Sequence, residues 1–156
     1  MAEIVCHARP RMHSYRFHSV WQVQAPAERC YSALTEFGDY PKWWPEVKEV
    51  IQTGEETASV KVRAFLPYSL RFEMTKLITD EETGILRASM QGDLEGWSQW
   101  TIKPSPDGTR IEFDEDVVAN KLLLRFLAPV ARPIFRANHA MMMHRGCRGF
   151  QRYVGA

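Results

Sequence analysis

The amino-terminal part of the chain alternates between apolar and polar residues and then changes to helical spacing. Over residues 14–24, Tyr15 and Trp21 share one face of an extended chain with other apolar residues, and polar residues occupy the opposite face. A period of two with aromatic and β-branched residues predicts a half-buried β-strand. Residues 25–38 and 39–45 keep helical spacing and carry prolines near their starts, which predicts two short helices after this strand.

Six further segments alternate in the same way and are separated by short polar turns. They are predicted at residues 47–53, 58–66, 70–78, 86–90, 94–103 and 111–117. The turns at residues 80–84 and 104–108 carry the glycine that a tight reversal favours. Polar-out alternation with short turns predicts antiparallel strands that pair in sequence order, and not a parallel sheet.

The carboxy-terminal part of the chain has helical periodicity. Residues 121–128 predict a first helical piece, and Pro129 and Pro133 are expected to interrupt it. From Ile134 onward the pattern predicts one long helix. At about 100° per residue, one stripe of this helix holds Phe135, His139, Met142, Gly146, Gly149 and Tyr153, with Asn138, Met143 and Phe150 at its edges.

Composition and charge narrow the class of protein. The chain has 156 residues, of which 45% are hydrophobic and 25% are charged, and this excludes a disordered chain, collagen and a coiled coil. Twenty Lys and Arg residues against 19 Asp and Glu residues give a formal net charge of +1. Since electrostatic binding of nucleic acid needs clustered excess base, we predict no nucleic-acid partner.

Cysteine usage and the first residues predict where the protein works. Cys6, Cys30 and Cys147 are far apart and odd in number, which argues against a disulfide framework and against a thiolate zinc site. Residues 1–13 contain no long apolar run. We therefore expect a cytoplasmic protein with an amino-terminal extension over residues 1–13 and one domain over residues 14–156.

Four short motifs in this order of elements suggest a family. They are Ala25-Pro26-Ala27-Glu28-Arg29, Tyr40-Pro41-Lys42-Trp43-Trp44-Pro45, Gly108-Thr109, and Arg132-Pro133-Ile134-Phe135 followed by Asn138-His139. With them the chain resembles the polyketide cyclase/dehydrase branch of the START and Bet v 1-like (SRPBCC) superfamily, from about Tyr15 to Tyr153. The resemblance implies an α+β helix-grip fold, in which a curved antiparallel sheet of seven strands wraps around the long carboxy-terminal helix and encloses an apolar cavity.

Such a cavity also has a physical reason, because a curved sheet and one helix cannot close perfectly against each other. Gly146 and Gly149 add no side-chain volume to the predicted stripe, and flexible methionines can adapt to different guests. The residues expected to bind a guest are Trp21, Phe72, Met74, Met90, Ser98, Trp100, Phe113, Phe135, Asn138 and Met142. The alternative is that these side chains simply fill the core.

Polar residues on the apolar faces are the candidates for chemistry. Strict alternation points Ser19, Lys76, Ser98 and Glu115 inward, where a charged group needs a partner or water. Glu115 with Asn138 and His139 could orient a ligand carbonyl or hydroxyl, and Glu115 and His139 are the acid/base candidates if the protein is a cyclase. The alternative is that Glu115 and Lys76 lie near strand ends or beside a bulge and reach water.

Other kinds of site find no support in the sequence. His139 and His144 are about 140° apart around a helix and cannot share an ion, and neither H-E-x-x-H nor an Asp-rich loop is present. There is no G-x-S-x-G elbow, and no glycine-rich loop opens a helix after a strand. We predict no metal and no cofactor.

Two segments have two readings each. Trp43 and Trp44 lie between prolines and are either a mobile lid over the cavity mouth or part of the core. Residues 122–135 are apolar with arginines among them, which is compatible with transient contact with a membrane but also with packing on the sheet.

The function expected from the sequence is the binding, and as a further option the transport, of a hydrophobic or amphipathic small molecule such as a lipid, a sterol-like compound or a polyketide. One alternative is a polyketide cyclase/dehydratase that uses Glu115 and His139. Another is a protein-interaction module resembling a chaperone activator. A monomer and a homodimer are both compatible with the sequence.

Overall fold

The computed structural model describes residues 14–63, 68–120 and 128–155, with side chains from residue 132 onward in the last range. Its strands are β1 (Ser14–Val23), β2 (Val47–Gln52), β3 (Thr57–Val62), β4 (Leu70–Asp80), β5 (Ile85–Gly92), β6 (Leu94–Ser105) and β7 (Gly108–Ala119). Its helices are α1 (Ala27–Thr35), α2 (Tyr40–Trp43) and α3 (Ala128–Gly155), with a 3-10 turn at Phe37–Asp39. The predicted extension 1–13 and residues 121–127 of the predicted helical piece 121–128 lie outside the described residues.

All seven strands form one antiparallel sheet in the order β1-β7-β6-β5-β4-β3-β2. Consecutive strands from β2 to β7 are neighbours, and β1 lies at the edge of the sheet and pairs with β7. In this pairing Tyr15 lies opposite Val117 and Trp21 lies opposite Ile111. The sheet curves around α3, so the predicted helix-grip α+β fold is confirmed. The curved face carries the buried residues because side chains alternate between the two faces of each strand.

Proline does not interrupt the carboxy-terminal helix, and this expectation was wrong. α3 runs from Ala128 to Gly155 with Pro133 inside it. Pro129 lies in the first turn, where a helix tolerates proline because the N–H groups there have no partner within the helix. Pro133 lies in the second turn, so its missing N–H affects one carbonyl close to the helix start.

The buried face of α3 differs from the predicted stripe at its carboxy-terminal end. Phe135 and Met143 are buried as expected, but Tyr153 is 42% exposed, whereas Phe150 and Val154 are almost fully buried. Phe150 packs edge-on against the ring of Trp43, with 4.9 Å between ring centroids. The contact with the segment before β2 therefore determines which side of α3 is buried near Phe150. The spacing of apolar residues in the sequence did not predict this.

Strand β4 contains a register shift that corrects a second expectation. The pairing of β4 with β5 shifts between Lys76 and Ile78. Strict alternation over the predicted strand 70–78 places Ile78 on the same inward face as Leu70 and Phe72. The irregularity reverses the alternation after Lys76, and Ile78 is 40% exposed beside Leu77 at 57%. Lys76 lies beside this bulge, with its Nζ 5.2 Å from the centre of the Phe37 ring.

The Trp43–Trp44 segment belongs to the hydrophobic core. Trp43 and Trp44 are 4% and 7% exposed. Their rings stack at 5.3 Å, and the Trp44 indole Nε1 donates a hydrogen bond of 2.9 Å to the carbonyl of Met142. The segment is therefore held against α3 by both apolar contact and a hydrogen bond.

Two glycines of α3 make this contact possible. A Cβ at Gly146 would lie 2.7 Å from Nε1 of Trp44, and a Cβ at Gly149 would overlap the carbonyl oxygen of Trp43. The expectation that these glycines leave room for a guest was wrong, because the Trp43–Trp44 segment fills that room. Gly149 instead lets α3 approach the Trp43 backbone, and Gly146 makes room for the Trp44 indole ring.

Because of this close approach, a Gly→Ala substitution in α3 should lower the free energy of unfolding, which is the opposite of its usual effect in a helix. Gly→Ala in a helix interior ordinarily stabilises by up to about 1 kcal/mol. We expect Gly149→Ala to destabilise the protein by about 1–3 kcal/mol, because the methyl group forces the Trp43 backbone away from α3. Denaturant unfolding followed by tryptophan fluorescence measures the change.

Gly38→Ala is the matched control, because nothing lies within 4 Å of a Cβ at Gly38. Its free energy of unfolding should change by less than about 0.5 kcal/mol. An unchanged or raised stability of Gly149→Ala would contradict the packing described here.

Candidate functional site

A cavity of about 100 Å³ lies between α3 and the concave face of the sheet. One water molecule needs roughly 10–15 Å³ of such space, so the cavity has room for several waters or a small organic group. Nine of the predicted ligand-binding residues line it, namely Phe72, Met74, Met90, Ser98, Trp100, Phe113, Phe135, Asn138 and Met142. The alternative of a completely filled core is therefore wrong.

Trp21 is the exception among the predicted lining residues. It is 4% exposed and does not border the cavity. Its ring lies instead among other aromatic rings, 5.0 Å from that of Trp100 and 5.9 Å from that of Phe150. Trp21 therefore supports the cavity wall from behind through Trp100.

The lining residues that sequence reasoning missed follow a simple pattern. They are Tyr40, Trp44, Val47, Val60, Val62, Arg63, Tyr68, Leu70 and Leu94. Val60, Val62, Leu70 and Leu94 are buried strand residues that alternation had already turned inward. These residues were not predicted to line the cavity, because the alternation of a strand shows which face is buried and does not show how far the cavity extends along that face.

The polar wall of the cavity is formed by β6, β7 and α3. Ser98 and Glu115 are opposite each other in the β6–β7 pairing, and both are 7% exposed. The Oε2 atom of Glu115 lies 3.5 Å from Nε2 of His139. The Glu115 side chain thus reaches a partner inside the fold, and not water at a strand end.

His139 is held by aromatic contact on its other side. Its ring stacks on Phe17 with 3.7 Å between centroids and an interplanar angle of 9°. Phe17 belongs to β1, whose partner β7 carries Glu115. The imidazole is thereby fixed with its Nε2 toward the carboxyl group, which is a geometry that permits proton transfer to or from a bound molecule.

Asn138 carries a buried polar atom without a hydrogen-bond partner among the described residues. The residue is 8% exposed, and in those parts of the chain no donor reaches its Oδ1. A buried acceptor without a donor costs free energy, on the order of 1–3 kcal/mol. Asn138 borders the cavity, but this oxygen has almost no accessible surface, so it is buried in the wall and is not open to the cavity.

Tyr40 fixes the aromatic wall. Its Oη donates a hydrogen bond of 2.6 Å to the carbonyl of Leu34 and accepts one of 3.2 Å from Nε1 of Trp100. Burial raises the pKa of the Tyr40 hydroxyl above its ordinary value of 10.0. The neutral phenol thus joins α1, α2 and the sheet at the cavity.

A second buried carboxyl group lies outside the cavity. Glu46 is 2% exposed, and its Oε1 is 3.1 Å from Nη1 of Arg145, although the geometry is not that of a hydrogen bond. Sequence reasoning missed Glu46, because it follows Pro45 in a turn where no alternation assigns a face. The ion pair links the start of β2 to α3.

The described residues contain neither a metal-binding cluster nor a membrane-spanning helix. In those parts of the chain, no three His, Cys, Asp or Glu side chains come together in a way that could hold a metal ion. Over the same ranges, no helix is both long and apolar enough to span a bilayer.

Residues 14–155 match the family described as polyketide cyclase/dehydrase and lipid transport. No curated protein matches the chain significantly. Among solved structures, the chain is similar to the ZhuI aromatase/cyclase from Streptomyces sp. R1128, with a TM-score of 0.75, 13% identity, and coverage of 92% of this chain and 94% of that one.

Two other solved structures have the same fold. The di-domain ARO/CYC BexL of the BE-7585A biosynthetic pathway gives a TM-score of 0.74 at 15% identity, covering 94% of this chain and 52% of that one. A START superfamily protein from Mycobacterium smegmatis gives 0.70 at 21% identity, covering 92% and 97%. At these identities the similarity establishes the fold only. The activity has to be inferred from the residues of the cavity.

The buried hydroxyl of Tyr40 generates a stability prediction. Tyr40→Phe removes the partner of a buried carbonyl and of a buried indole N–H, so we expect the free energy of unfolding to fall by about 1–3 kcal/mol. Tyr153→Phe is the control, because Tyr153 is 42% exposed and should change stability by less than about 0.5 kcal/mol.

The same variant has a pH signature. A hydroxyl whose pKa is raised by folding adds to the free energy of unfolding, and this addition is complete below the ordinary pKa of 10.0. The addition is lost as the pH rises above that value. Stability of the unmodified protein should therefore fall above pH 10, and more gently in Tyr40→Phe. Parallel pH profiles for the two proteins would contradict the assigned burial.

Proposed function

Because this chain belongs to the polyketide cyclase/dehydrase and lipid transport family, we propose that it binds a hydrophobic or amphipathic small molecule in the cavity between α3 and the sheet. The observation that carries the proposal is the cavity itself, whose walls are mostly aromatic, aliphatic and methionine side chains. Methionines 74, 90 and 142 border it, and their flexible thioethers adapt to the shape of a guest.

Apolar burial alone gives modest affinity in this site. Burying about 200 Å² of a guest at roughly 25 cal/mol per Å² contributes about 5 kcal/mol before ordering costs. Micromolar affinity requires about 8 kcal/mol. A tight complex therefore needs a larger guest or hydrogen bonds to the polar wall.

A catalytic role is the second candidate, and the Glu115–His139 pair favours it. The two groups lie 3.5 Å apart at the wall of an otherwise apolar cavity. On a bound poly-β-carbonyl chain, one group would remove a proton from the carbon between two carbonyls, and the resulting carbanion would attack another carbonyl carbon of the same chain to form the ring bond. The other group would protonate the alkoxide that this attack leaves on the second carbonyl oxygen. The solved aromatase/cyclases of similar fold are consistent with this role.

The protein-interaction alternative has less support. A filled core would favour this alternative, and the described residues instead enclose a cavity.

Occlusion of the cavity tests the binding proposal. The neutral fluorescent probe N-phenyl-1-naphthylamine should bind the unmodified protein with a fluorescence increase. Met142→Trp places a larger ring at the cavity wall, so we expect the affinity for the probe to fall at least about tenfold, which corresponds to about 1.4 kcal/mol. Native mass spectrometry across a panel of lipids and aromatic polyketides then identifies natural guests.

Met141→Trp is the matched control, because Met141 is the neighbouring residue of α3 and does not border the cavity. Its probe affinity should stay within a factor of two of the unmodified protein. If the probe does not bind, or if both variants lose affinity equally, the proposed internal site is wrong.

The catalytic candidate has a separate test. With a synthetic poly-β-ketone thioester, Glu115→Gln and His139→Ala should each lower the rate of cyclisation by about 10²–10⁴-fold, the contribution of a positioned acid or base, while retaining binding of the thioester. Full turnover in both variants would show that Glu115 and His139 are not the acid/base residues.

A further inference from the structure

Resting on the proposed binding function, we infer that the guest carries an anionic end group, such as a carboxylate, which Lys76 binds in a second cavity beside the first. The juxtaposition that supports this is a half-buried lysine at a small cavity that shares three lining residues with the main one. The inference narrows the class of guest from hydrophobic molecules in general to amphipathic acids.

The second cavity lies between α1, the 3-10 turn and strands β4 to β6, and has a volume of about 10 Å³. Met74, Ser98 and Trp100 border both cavities, so these side chains form the partition between them. A space of this size holds about one water molecule. It therefore adds room for one small polar group of a guest and not for a second guest.

Met74 is the side chain of the partition that can move. It is half-buried, and its unbranched thioether changes rotamer at little cost. Trp100 is held instead by the hydrogen bond of 3.2 Å that its Nε1 donates to Oη of Tyr40. A rotamer change of Met74 joins the two cavities around an elongated guest.

Lys76 supplies a positive charge at the second cavity. It follows Met74 by two residues on β4 and pairs with Ala88, which is 4% exposed, so its side chain leaves the strand on the concave face. Its Nζ lies 5.2 Å from the centre of the Phe37 ring, and both residues border the cavity. Among the described residues this ammonium group has no ion-pair or hydrogen-bond partner. An incoming carboxylate compensates the hydration that such a half-buried cation lacks.

Three other charged residues of the two cavities are less suited to an anion. Glu115 would meet a carboxylate as a like charge when it is ionised. Arg63 borders the main cavity, but it is exposed, and ion pairs of exposed groups contribute little because water screens them. Arg87 borders the second cavity, but its guanidinium stacks on the ring of Trp97 at 4.1 Å. Lys76 is therefore the cation available to a guest.

Three straight-chain amphiphiles of equal chain length test the inference. Competition against N-phenyl-1-naphthylamine gives the affinities of decanoate, 1-decanol and decylammonium for the full chain at pH 8, where the acid and the amine are both charged. Binding of 1-decanol reports the apolar contribution alone. We expect decanoate to bind about tenfold or more tightly than decylammonium, as one hydrogen bond between charged groups implies.

Lys76→Met removes the charge and keeps an unbranched apolar side chain beside Phe37. We expect its affinity for decanoate to fall about tenfold or more, whereas its affinity for 1-decanol stays within a factor of about two. Lys48→Met is the matched control, because Lys48 is exposed on β2 and borders neither cavity. It should keep both affinities. If Lys76→Met does not fold, the comparison of head groups in the unmodified protein still decides.

The outcomes separate this inference from the proposed function. Equal affinities for decanoate and decylammonium, with 1-decanol bound, would overturn the anion site and leave hydrophobic binding intact. Failure of all three amphiphiles to displace the probe would overturn the shared cavity, and the anion site with it. A decanoate affinity that persists in Lys76→Met and is lost in Arg63→Gln would place the head group at the end of β3 and overturn the role of Lys76.

Discussion

A cluster of aromatic rings holds the carboxy-terminal helix to the sheet, and the shape of the cavity depends on it. Trp43 and Trp44 stack on each other, and Trp21 contacts both rings as well as those of Trp100 and Phe150. The cluster joins β1, α2, β6 and α3 and fills the space at one end of the helix. Because one end is packed solid, the empty volume is confined to the part of the helix that carries residues 135–142.

The cavity combines two physical environments that act on a guest in different ways. Its apolar walls contribute free energy in proportion to the area they cover and set few limits on orientation. The wall with Ser98, Glu115, Asn138 and His139 contributes less area but has direction, because hydrogen bonds require a matching donor or acceptor. Retention of a guest is therefore mainly a matter of size, and its orientation is a matter of a few polar atoms.

The sheet could be predicted from the sequence because one-sided burial imposes a period of two, which short turns then interrupt at recognisable places. The errors occur where tertiary contacts decide. A bulge near Leu77 reversed the expected direction of Ile78, and packing on the Trp43 backbone rotated α3 so that Tyr153 became exposed. Most cavity residues followed from their inward positions, but Trp21 did not, since facing inward does not determine depth along the strand.

The two glycine contacts of α3 have a mechanical consequence. Gly146 lies against the Trp44 indole ring and Gly149 against the Trp43 backbone, so this half of α3 has no room even for a methyl group at either position. The half bearing Phe135 and Asn138 borders empty space instead. The two halves of one helix therefore differ in tolerance, because an added side-chain atom finds empty space beside Phe135 and Asn138 and finds none beside the glycine pair.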